Sequence, residues 1–127
     1  MKKKTIFLVD DSITNLMAGR NLLSQLYNVY TCNSGARMFN LLEKITPDLI
    51  LLDIEMPEIN GYEVIKKLKS NENTDDILVI LLTAHNDESA EKKGRALGAN
   101  DFMTKPFSPP ALLQVIENHI GKLEKSA

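Results

Sequence analysis

Residues 48–61 read DLILLDIEMPEING. An unbroken apolar run stops on one aspartate, Asp53, and a Met-Pro pair and a glycine follow. Half-exposed antiparallel strands alternate apolar and polar residues, whereas strands of a parallel sheet covered on both faces read as continuous apolar runs. This run therefore predicts a buried parallel strand that ends on a carboxylate. Ionised carboxylates are costly to bury without a partner, so Asp53 calls for a reason.

Outward from that stretch, short apolar runs recur at TIFLV (5–9), NVYTC (28–32), ILVILLT (77–83) and DFMTK (101–105). Segments with helical spacing separate them. Ile13, Leu16, Leu23 and Tyr27 share one stripe, as do Met38, Leu41, Leu42 and Ile45, then Val64, Ile65 and Leu68, and last Leu112, Ile116, Ile120 and Leu123. Chemical start and stop signals support these helices. Ser108 before Pro109 suits an N-cap with proline in the first turn, and Asn60 with Glu63 has capping-box spacing. Gly98 suits the end of a helix that begins near Asn86. That helix has only Ala90, Ala96 and Leu97 as apolar anchors, so it is expected to be the most weakly docked.

Strand and helix thus alternate five times with no linker, repeat or low-complexity segment. Right-handed crossovers then give an α/β fold, a doubly wound five-stranded parallel sheet flanked by five helices. A barrel needs eight such units. The 127 residues suit a single domain, 1–127. The composition, 43% hydrophobic and 25% charged, argues against a disordered or fibrous chain. A net charge of -2 gives no electrostatic reason to expect nucleic acid or an anionic membrane as partner. The lysines at 2, 3 and 4 read as a solvated end. The apolar residues after them are cut short by Asp10 and Asp11, too soon for a secretory signal, and no run is long enough to span a membrane, so a cytoplasmic location is expected. The single cysteine, Cys32, reads as a packed thiol.

In an open doubly wound sheet the functional crevice lies beyond the carboxyl ends of the strands. Asp10 and Asp11 end the first strand, Asp53 the third, Thr83 the fourth and Lys105 the fifth. Each has an ordinary explanation as a cap, a strand residue or a solvated charge, but together they bring three acids, a hydroxyl and an ammonium to one crevice. Crowded acids raise a pKa or recruit a cation. Oxygen-only ligands favour Mg2+ or Mn2+. His85 and His119 are isolated, and neither GxGxxG nor GxxxxGK[ST] is present, which argues against a nucleotide site. The residues point to a metal-assisted phosphoryl site with an aspartate nucleophile.

LVDDS, ILLDIEMP, NGYE, LLTA and TKPF, in this order and spacing, resemble the response-regulator receiver domains of two-component signalling from about Thr5 to Leu123. The resemblance implies a flavodoxin-like sheet of order 2-1-3-4-5, with Asp53 as phosphoacceptor. It implies Asp10, Asp11, Asp53 and the backbone carbonyl of Glu55 as ligands of Mg2+, with Thr83 and Lys105 meeting the phosphoryl oxygens. Thr83 and Phe102 match the family's switch pair. Phe102 lacks the hydroxyl of the tyrosine that many relatives carry, and it also reads simply as core. A cis peptide is expected before Pro106, to aim Lys105. The implied partners are a sensor histidine kinase or histidine phosphotransfer protein and a downstream target or separate output domain. The family's helix-4, strand-5, helix-5 face often binds partners or forms homodimers, and Glu55 and His85 lie where relatives tune phosphoryl lifetime.

Three alternatives come from other classes. An interaction module that is never phosphorylated conflicts with the intact acids, Thr83 and Lys105. An aspartate-nucleophile phosphatase normally has a second aspartate where Glu55 stands, and turnover of an external substrate is not expected. A flavin-binding electron carrier fits a carboxylate-lined crevice poorly.

Overall fold

The computed structural model describes residues 3–84, 88–105 and 108–120. The elements in chain order are β1 (Thr5–Val9), α1 (Ile13–Leu23), β2 (Asn28–Cys32), α2 (Gly35–Leu42), β3 (Leu49–Asp53), α3 (Gly61–Lys69), β4 (Leu78–Thr83), α4 (Glu88–Leu97), β5 (Asp101–Thr104) and α5 (Pro109–Ile120). All strand pairings are parallel, and the sheet order is β2-β1-β3-β4-β5. The doubly wound architecture and the strand order are as expected.

β3 is buried along its whole length, as its unbroken apolar run requires. One face of the sheet, with Phe7, Ile50, Leu52, Val79 and Leu81, packs against Met38 of α2 and Val64, Ile65 and Leu68 of α3. The other, with Ile6, Leu8, Leu49, Leu51 and Ile80, packs against Leu16 and Leu23 of α1 and Leu112 and Ile116 of α5. β2 forms one edge and is largely exposed.

The caps are formed as read. Asn60 and Glu63 make a reciprocal capping box on α3, the Ser108 hydroxyl accepts from the Ala111 N–H, and Gly98 has φ +115°, which suits a residue without Cβ. Three apolar assignments need correction. Ile13 is 67% exposed, because it lies roughly a quarter turn round α1 from the buried line through Leu16 and Leu23. Tyr27 is buried but lies past the end of α1, in the turn leading to β2. Ala96 is exposed rather than an anchor. Asn86 and Leu123 lie outside the described residues.

Gly94 is the only buried residue of α4. A Cβ there would meet the Leu81 side chain, so the missing side chain lets this helix lie close to β4 without displacing that leucine. Polar contacts supply much of the rest: the Tyr62 hydroxyl donates to the Ala90 carbonyl at 3.3 Å, and Arg95 pairs with Asp101 at 3.2 Å. With so little apolar burial, residues 88–97 are expected to exchange amide protons faster than α3 and α5. Protection in α4 equal to that in β3 and β4 would contradict this.

Candidate functional site

Four chain segments deliver the site. Asp10 follows β1 directly, and its N–H extends the ladder by donating to the Cys32 carbonyl at 3.1 Å. Its side chain is held on several sides. Oδ1 accepts from the Ser12 N–H at 2.9 Å, and Oδ2 accepts from the Asn15 amide at 3.3 Å. The same Ser12 caps α1 through the Asn15 N–H. The turn that starts the helix therefore also aims the carboxylate.

Asp53 is the last residue of β3, and the ladder continues past it through the Ile54 N–H to the Leu82 carbonyl at 2.9 Å. The loop after the strand then returns tightly. Glu58 takes φ 69°, and the Gly61 N–H donates to the Ile54 carbonyl at 2.9 Å. Thr83 ends β4 and is 1% exposed. Lys105 follows β5, its N–H donating to the Thr83 carbonyl.

The side chains converge. Lys105 Nζ lies 3.1 Å from Asp10 Oδ2 and 3.2 Å from Asp53 Oδ1, bridging two carboxylates that are nearly inaccessible to water. Asp10, Asp11 and Asp53 each offer a carboxylate oxygen, all within 4.8 Å of one another. Asp11 is exposed, so the cluster opens to solvent on one side. Burial, with the nearby charge of Asp10 and a smaller contribution from Glu55, pushes the Asp53 carboxyl up to about 6 against the opposing pull of Lys105. For Lys105, burial favours the neutral amine, but Asp53 and Asp10 outweigh it and raise its pKa. One ammonium only partly offsets the acids. A hard, oxygen-only donor set with an open side suits a divalent cation such as Mg2+, which keeps several waters of its own.

Two contacts were not expected from the sequence. The Glu55 carboxylate turns back to Thr83, whose hydroxyl donates to Oε1 at 3.2 Å and Oε2 at 3.0 Å. The Ala84 N–H also donates to Oε1, at 3.4 Å. Asn15 joins Asp10, and its place in the first turn after the acid pair is the signal that could have found it. Phe102 is half-buried on β5 and packed against the α3 side of the core. His119 pairs with Asp101 at 3.0 Å, remote from the acid cluster in sequence and in contacts. Pro106, with its expected cis peptide, and His85 lie outside the described residues.

Residues 6–117 match the response regulator receiver domain, and the chain belongs to that family, the receivers of two-component signalling. A probable cyclic di-GMP phosphodiesterase of Vibrio cholerae is 40% identical over 116 residues, 91% of this chain but only 26% of the relative. The polar-differentiation response regulator DivK of Brucella ovis is 34% identical over 93% of this chain and 97% of its own length. The receiver domain of a sensor histidine kinase from Pseudomonas aeruginosa PAO1, with a magnesium ion coordinated in its active-site cleft, superposes with a TM-score of 0.84 at 28% identity, covering 94% of this chain and 98% of that one. Among the described residues no helix is long and apolar enough to cross a membrane.

Proposed function

We propose that residues 1–127 form one cytoplasmic receiver domain that accepts a phosphoryl group on Asp53 from a phosphohistidine of a sensor kinase or phosphotransfer protein. The observation that carries this reading is the buried Asp53 carboxylate, tied through Lys105 to Asp10 and grouped with Asp11. One Asp53 oxygen attacks phosphorus, the P–N bond to the donor imidazole breaks as the P–O bond forms, and the donor nitrogen leaves with the bonding pair. A carboxylate nucleophile splits a difficult transfer into two easier ones.

Asp10, Asp11, Asp53 and the backbone carbonyl of Glu55 would hold Mg2+, which supplies charge neutralisation at the phosphoryl oxygens. The chain's own groups do the rest. The Lys105 ammonium, already beside Asp53, stabilises negative charge as it develops on the transferring group. The Thr83 hydroxyl donates to another phosphoryl oxygen once it leaves Glu55. The acyl phosphate carries roughly two negative charges where the free carboxylate carries one, and movement of Thr83 toward it would let Phe102 turn inward and reshape the α4-β5-α5 face for a partner or a second copy. The reading predicts no turnover of an external substrate.

Intact mass after incubation with acetyl phosphate and Mg2+ tests this. A single phosphoryl adduct is expected, lost in Asp53→Asn and lost with EDTA. An adduct that survives either change overturns the assignment of Asp53 or of the metal.

A further inference from the structure

A threonine hydroxyl has one proton to donate. In this structure Thr83 spends it on Glu55, with Oε1 and Oε2 at 3.2 and 3.0 Å. Thr83 itself is almost wholly buried at the end of β4, so its hydroxyl is shielded from bulk water. Glu55 is exposed, two residues past Asp53, and its carboxylate also accepts from the Ala84 N–H, which holds it over the end of the strand. A phosphoryl group on Asp53 needs the same hydroxyl proton, and its charge would repel the carboxylate that now holds it.

We infer that the Glu55 carboxylate is a resting-state latch on Thr83, a positioning residue that withholds the hydroxyl until a phosphoryl group displaces it. The inference rests on the receiver reading above and adds to it a competition for one hydrogen-bond donor. The latch acts through two side chains and is separate from the carbonyl through which Glu55 would serve the metal. It makes a specific demand: removal of the carboxylate must help phosphoryl binding only while Thr83 has a hydroxyl to release. Simple charge repulsion between Glu55 and an anion makes no such demand.

Beryllofluoride, a tetrahedral mimic of a phosphoryl group, supplies the probe, titrated in Mg2+ and followed by amide NMR. Glu55→Ala is expected to bind it about three- to tenfold tighter than wild type, the scale of losing a partly exposed charged hydrogen bond. Glu55→Gln, which keeps an acceptor but not the charge, is expected to fall between them. In the Thr83→Ala background the gain from Glu55→Ala is expected to disappear, giving a double-mutant coupling as large as the single effect. The amide spectra of all variants report whether the fold is intact. A gain that persists without the Thr83 hydroxyl, or no gain at all in Glu55→Ala, overturns the latch while leaving the receiver reading in place. Wild type that binds no beryllofluoride in Mg2+ overturns the receiver reading and the latch with it.

Discussion

Replacing Asp53 with asparagine is expected to make the metal-free protein more stable at pH 7 by about 1–3 kcal/mol, even as it removes the proposed phosphoacceptor. The cause lies in how the carboxyl is held. Burial and Asp10 push its pKa from 3.8 in the unfolded chain to about 6 in the folded one. The folded state therefore binds the Asp53 proton more tightly. Below pH 4 both states are protonated and no penalty arises. Between the unfolded and the folded value the unfolded chain ionises while the folded chain holds its proton, and stability falls until the folded carboxyl ionises too. Asparagine has nearly the same shape and stays neutral throughout, and its amide oxygen can still accept from Lys105. The advantage of the variant should thus be small near pH 4, grow to about pH 6 and then level off. Thermal unfolding in EDTA across that range checks the shape, with a rise of several degrees expected at pH 7. A variant no more stable than wild type at neutral pH would mean that Lys105 already compensates the buried acids in full.

The second large effect is expected at Gly61. This buried glycine opens α3 just where the loop from Asp53 returns to the strand. A Cβ there would sit 2.7 Å from the Asp53 carbonyl oxygen and 2.9 Å from Ile54 Cα. Both are backbone atoms, and no rotamer change can move them aside. Gly61→Ala must therefore push the end of β3 away from α3. We expect a loss of about 2–3 kcal/mol of stability and a fall of roughly tenfold or more in the rate of adduct formation, because small misplacements of a reacting group are expensive. Gly19→Ala is the control. Its added Cβ would meet the Leu8 side chain at 2.5 Å, a side-chain end that can yield where backbone atoms cannot. Equal loss in the two variants, or normal adduct formation by Gly61→Ala, would refute the role given to the glycine.

Much of the architecture was legible because burial on both sheet faces leaves a plain mark: LILLD in β3 and LVILLT in β4 have no polar alternation. The acids, Thr83 and Lys105 could be placed at one crevice because parallel strands present their carboxyl ends together. What could not be read depended on side-chain direction. Ile13 fits a helical stripe by spacing but stands at its margin, exposed. The sequence marks Glu55 for its carbonyl and as a residue that tunes phosphoryl lifetime, but not the reach of its carboxylate to Thr83, a contact between residues 28 positions apart. Its formation depends on the path of the loop after Asp53, where Glu58 adopts φ 69°. No local pattern in the sequence encodes that path.

The ammonium that bridges the acids comes from far along the chain: Lys105 and Asp10 are 95 positions apart. A nascent chain emerging from the ribosome would carry Asp10, Asp11 and Asp53 well before the lysine that balances them. Until β5 adds to the edge of the sheet, the two buried carboxylates lack their common cation. On the proposed function, phosphoryl acceptance would report that the last strand has docked, and a chain cut before β5 would hold Asp53 without the ammonium that balances it.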